Sequence, residues 1–243
     1  MIKKCFAILL CLIAVANVSG QTRSRSAQKK PAVKQPAEVV EAYAVCREFQ
    51  RLFGEDLDFD RAYEATFTKD PARRRAIARA EIEVNDVDLA QIDDATLIGI
   101  YKDETQLFWL LILIMAADEH VPKAELLTDE INSVYDRFRV RPKTPAELRE
   151  YAAELKQDVM IVRAHLNQLA GKHVSVAEQI QKMKKGLADL KLPDTFVVQP
   201  LTSYRNTNVL RANEKYYDIG NYEVIRENGE MKIIGIRFFT RLF

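Results

Sequence analysis

The sequence predicts a mainly α fold: a helical bundle with a C-terminal antiparallel β-meander of two to three strands, α+β overall. Three observations carry this. Apolar residues step by three and four through most of residues 37–192. After Leu192-Pro193 the period changes to two. Near the end, Asn228-Gly229 separates two such alternating runs, the strongest short signal for a hairpin.

The chain opens differently. Residues 1–20, MIKKCFAILLCLIAVANVSG, place two lysines before an apolar run and small residues at its end. This is the layout of a secretory signal peptide, with cleavage after Ala16 or Gly20. The alternative is a retained N-terminal membrane anchor, but the run is short of the roughly 20 residues a spanning helix needs. Lipidation at Cys11 would require a small residue where Leu10 stands. The expected location is secreted or periplasmic. Cys5 and Cys11 leave with the signal, so Cys46 remains alone and no internal disulfide forms. Residues 21–36 carry five basic residues, no acidic ones and two prolines, and read as a basic flexible linker.

From residue 37 the helical period begins. Val39, Val40, Tyr43, Cys46, Phe49, Leu52 and Phe53 share one face, and Gly54 is the expected stop. That spacing puts Cys46 in the core as a small apolar residue. A short helix follows Asp58, with Phe59, Tyr63 and Phe67 on one side. Asp70-Pro71 then supplies an N-cap and a first-turn proline. The next helix bears Arg73, Arg74, Arg75 and Arg79. Without interleaved aromatics they offer no nucleic-acid platform, and they read as a solvated face partly paired with Glu81 and Glu83.

Residues 107–117 are eleven apolar residues in succession, preceded by the charged KDETQ. As a helix they span about 16 Å, against a bilayer core of about 30 Å. They are therefore expected as the central helix of a bundle, and no transmembrane segment is expected in the mature chain. Asp93-Asp94 reads as a helix first turn that favours negative charge. Residues 122–139 read as one amphipathic helix. Two capping boxes follow, Thr144-Pro145-Ala146-Glu147 and Ser175-Val176-Ala177-Glu178. Behind the first, Leu148, Tyr151, Leu155, Val159, Val162, Leu166 and Leu169 form a heptad stripe that Gly171 ends. Behind the second come Val176, Ile180, Met183, Leu187 and Leu190. Together they predict an αα-hairpin over 144–191, within a bundle spanning 37–192. Residues 193–243 form the meander, packed on the bundle. Its strands are expected at Phe196–Gln199, along Tyr216–Arg226, and from Met231 to Thr240. The run 216–239 resembles the closing hairpin of NTF2-like proteins over about a tenth of the chain. An NTF2-like cone needs several more strands, so the resemblance brings no function with it.

Lys plus Arg total 36 and Asp plus Glu 35, so no global field attracts nucleic acid. With only 8 glycines, phosphate-cradling loops are disfavoured. No HExxH, CxxC, GxSxG, Walker or GxGxxG pattern occurs. The histidines are His120, His165 and His173. His165 and His173 are too few for a metal, and Asp118, Glu119 and His120 are sequential neighbours that point apart. Catalytic, cofactor-binding and metal-binding residues are thus none. The first expectation is an exported, non-enzymatic interaction or scaffold protein of the cell envelope, with a protein partner or self-association through 144–191. The second is a small apolar ligand-binding protein whose pocket is lined by helix 107–117 and by Phe196, Tyr204, Tyr216 and Tyr217. The third is a hydrolase or isomerase using Asp118, Glu119, His120 or His165.

Overall fold

The computed structural model describes residues 36–82, 87–118, 121–193, 196–200, 210–211 and 214–236. The expected signal peptide 1–20, residues 21–35 of the expected linker, Glu83, Glu119, His120, Tyr204 and the expected strand end 237–240 lie outside the described residues.

Helix α1, Ala37–Asp56, buries Val39, Ala42, Tyr43, Cys46, Phe49, Leu52 and Phe53. Val40, expected on that face, is exposed. The helix does not stop at Gly54. It runs on to Asp56 and closes at Leu57, whose φ of 54° is left-handed. Side-chain amide bonds hold that corner. Buried Gln106 accepts the Phe59 N–H and donates to the Leu57 carbonyl, both at 2.7 Å. Helix α2, Phe59–Thr66, is capped by Asp58, and α3, Pro71–Glu81, by Asp70.

The arginine row is not a solvated face. Arg73 is buried and meets Glu214 and Glu227; Arg74 pairs with Glu64 and Arg75 with Asp94. Arg79 is exposed. One side of α3 therefore clamps other elements. Spacing along one helix could not reveal carboxylates contributed by remote segments.

Helix α4, Asp94–Ala116, starts at Asp93, which accepts the Thr96 N–H at 2.8 Å. KDETQ does not interrupt it. Lys102 turns out to Asp60 and Glu64, Glu104 accepts from the Tyr151 hydroxyl at 2.7 Å, and Gln106 turns inward. Leu107 and Leu110–Ile114 are buried, so this is the core helix that residues 107–117 predict. No helix among the described residues is long and apolar enough to cross a membrane.

The helix expected over 122–139 is two: α5, Lys123–Leu126, and α6, Asp129–Arg139. Thr128 separates them by accepting the Ile131 N–H, with Asp129 and Glu130 in the new first turn. Helix α7, Pro145–Lys172, begins at Thr144, which accepts the Glu147 N–H at 3.2 Å. Glu147 returns to the N–H of Lys143, one residue before the cap. Gly171 lies inside α7. Helix α8, Val174–Ala188, follows after His173 alone, so the Ser175 capping box is unused. The two helices pack less on each other than on others: α7 lies along α4, and α8 along α1. Leu148, Tyr151, Leu155, Val162, Leu166 and Leu169 are all buried there.

The sheet has four antiparallel strands in order β1-β2-β3-β4: β1 Val197–Pro200, β2 Lys215–Ile219, β3 Tyr222–Glu227 and β4 Glu230–Ile236. The alternating run 216–226 is two strands because Gly220-Asn221 turns the chain, with Gly220 at φ 63°. At the second turn Asn228 and Gly229 have φ 51° and 89°, as a two-residue hairpin loop of this type requires. The outer side of β4 receives the Thr68 N–H on the Ile233 carbonyl at 3.0 Å, so the chain leaving α2 extends the sheet. Bundle and sheet meet in an aromatic cluster. Phe49 lies 5.9–6.1 Å from Phe59, Phe67 and Tyr222, ring centre to ring centre.

Candidate functional site

Of the side chains that the sequence offered for catalysis, Asp118 and His165 are among the described residues. Asp118 is exposed just beyond α4. His165 donates from Nε2 to the Leu126 carbonyl at 3.1 Å, and His173 Nε2 meets the Glu125 carboxylate at 3.0 Å. Both histidines strap the short α5 onto the end of α7. Eight residues apart, they stand about 12 Å from each other along the helix axis. Among the described residues no group of three or more His, Cys, Asp or Glu is placed to hold a metal ion. Cys46 is buried, and burial pushes its thiol far above the usual range, which disfavours the thiolate. Tyr216 and Tyr217 are buried in the sheet's packing, and Tyr217 donates to Glu38.

The concave site lies elsewhere. Its floor is the outer side of α7, and its rim is the first turn of α6. Glu130, Gln157, Met160, Ile161, Ala164, His165 and Gln168 line an open groove of about 330 Å³. The α7 residues fall at i, i+3, i+4, i+7, i+8 and i+11, which places them on one helical face. Thr128 fixes the rim, since its cap starts α6 where Glu130 can face α7. Arg137 of α6 binds the buried Asp158 of α7, through Nε at 3.1 Å and through a terminal nitrogen, and holds the two helices side by side. Met160 is 61% exposed. The side chains of Glu130, Gln157 and Gln168 make no hydrogen bond or ion pair among the described residues.

Chemically, this groove presents two amides that both donate and accept, one carboxylate, a thioether and an apolar floor. His165 has its Nε2 committed to a backbone carbonyl. The heptad reading missed the groove because it lies beside the dominant stripe. Its signal was present in Gln157, Ile161, Ala164 and Gln168, which step by four, three and four.

Ion pairs at the other end of the bundle are equally structural. Glu64 receives Arg74 at 2.9 Å and Lys102 at 3.3 Å. Burial pushes its carboxyl up, but the Arg74 hydrogen bond and the two cations outweigh this and hold it near 2. Comparison with known protein families, with curated proteins and with solved structures found no match.

Proposed function

We propose that this chain is an exported, non-enzymatic interaction or scaffold protein of the cell envelope, and that the outer face of α7 is its contact surface. The observation that carries this reading is the groove itself. Its polar side chains Glu130, Gln157 and Gln168 are unspent, while His165 beside them is held to the Leu126 carbonyl. Export rests on residues 1–20 alone.

Photo-crosslinking from Gln157 and Gln168 in cells making the protein tests the surface, with Arg79 on α3 as the control position. Adducts specific to Gln157 and Gln168 are expected. Yields no higher than from Arg79 overturn the reading. N-terminal sequencing of the exported chain is expected to begin at Asn17 or Gln21; a chain beginning at Met1 removes the signal-peptide assignment.

A further inference from the structure

Positions 150, 154, 157, 161, 164, 168 and 171 lie along one line on the outer face of α7. The line is polar towards its ends and has Ile161 and Ala164 at its middle. This stripe is separate from the buried one, and every position on it is exposed except the half-buried Ile161. Its charge is polarised. Glu150 and Glu154 stand at one end, Lys172 adjoins Gly171 at the other, and the α7 positions between are neutral, with Glu130 of α6 on the rim beside them. None of these three charges has an ion-pair partner within 4 Å among the described residues, and Glu154 lies in the field of Arg137. Beside Gly171 nothing lies within 4 Å of where a Cβ would stand, so a long side chain from outside has room there.

We propose that a second copy of this chain docks on this face, its α7 antiparallel to the first, about a two-fold axis between Ile161 and Ala164. This rests on the reading of the face as a contact surface and names its occupant. The axis sets Gln157 against the partner's Gln168, and an amide can donate to and accept from another amide. Ile161 meets the partner's Ala164, a small residue that lets the helices approach. Met160 reaches the partner's His165, a thioether against an aromatic ring. Glu154 reaches the partner's Lys172 over the open space at Gly171. A two-fold repeats every one of these contacts. A parallel copy would set Glu154 on Glu154 and Lys172 on Lys172, so the polarity of charge selects the antiparallel arrangement.

Sedimentation of the purified chain across a concentration series reads the outcome at low salt. A monomer–dimer equilibrium is expected. Glu154→Lys and Lys172→Glu each replace two attractions by two repulsions and are expected to weaken the dimer roughly tenfold, while the double swap restores it to within about twofold. Ala164→Glu is expected to abolish the dimer with the helical circular dichroism unchanged, because Ala164 is exposed. Four results overturn the proposal: a chain monomeric at every concentration, a dimer indifferent to Ala164→Glu, one indifferent to the single swaps, or a double swap that fails to restore. A monomer that still yields adducts to a different protein from Gln157 overturns this proposal alone. A monomer without adducts overturns the contact surface as well.

Discussion

A Cβ at position 54 would lie 2.8 Å from the Ala188 Cβ and from the Lys184 carbonyl oxygen. Both belong to α8, so the crossing of α1 and α8 depends on a residue without a side chain. Gly54→Ala gains about 1 kcal/mol of helix propensity, but forcing a methyl against backbone costs about 1–3 kcal/mol. A net loss in denaturant-unfolding free energy is expected. Gly99→Ala in α4 meets nothing within 4 Å, so the same substitution there is expected to stabilise by up to about 1 kcal/mol. Equal signs for the two variants would mean the crossing is looser than described. Glu64 makes a pH prediction. Its folded pKa, near 2, lies below the ordinary 4.5, so its contribution is fully present above 4.5 and fades as pH falls towards 2. The side chain is 41% exposed, so solvent and salt screen the effect. The melting temperature of Glu64→Gln is expected to fall below wild type at neutral pH and to converge on it under acid. A constant gap across that window would assign the loss to packing.

At the scale of elements, the contact of α3 with the sheet turns on Arg73. Its guanidinium is buried between Glu227 at the end of β3 and Glu214 before β2, and Thr68 also donates to Glu227 at 2.6 Å. Truncating one partner of a buried ion pair leaves the other uncompensated, at about 3–5 kcal/mol. Arg73→Ala is expected to lose free energy in that range by chemical denaturation, and Arg73→Ala/Glu227→Gln to recover part of it. A loss under 1 kcal/mol, roughly the value of an exposed pair, would show that water reaches the cluster. The straps of His165 and His173 on α5 are smaller versions of the same device, in which a side chain fixes an element too short to hold itself.

At the scale of the whole molecule, the described residues of bundle and sheet share one hydrophobic core. Tyr43 donates to the Pro193 carbonyl, Glu38 and Glu41 on α1 take Tyr217 and Arg226 from the sheet, and Phe49 packs on Tyr222. These ties span the joint between bundle and sheet. Unfolding is therefore expected as one transition. Hydrogen exchange at Tyr222–Ile225 in β3 and at Leu110–Ile114 in α4 should report the same opening free energy. A sheet that opens well before the helix would make the bundle an independent unit.

What residue type and spacing determined by themselves were the local features. The helical period, the Asp58, Asp70, Asp93 and Thr144 caps, the Asn228-Gly229 turn and the burial of most of the 107–117 run are set within a few residues of chain, and all are present, with Phe108, Trp109, Met115 and Ala116 half-buried. Tertiary structure decided what depends on a distant neighbour. Gly54 became a crossing point because α8 arrives there, and KDETQ became helix because Asp60, Glu64, Tyr151 and Leu57 receive its polar side chains. Arg73 became buried because two carboxylates come from beyond residue 210. The break at Thr128 and the turn at Gly220-Asn221 were legible and were outweighed by longer periodic runs. The candidate groove was half legible: its α7 stripe is written in the spacing, but the rim depends on where α6 docks, which Arg137 and buried Asp158 fix across 21 residues of sequence. A local pattern specifies which face of an element is apolar; only the packed chain specifies which face is left without a neighbour.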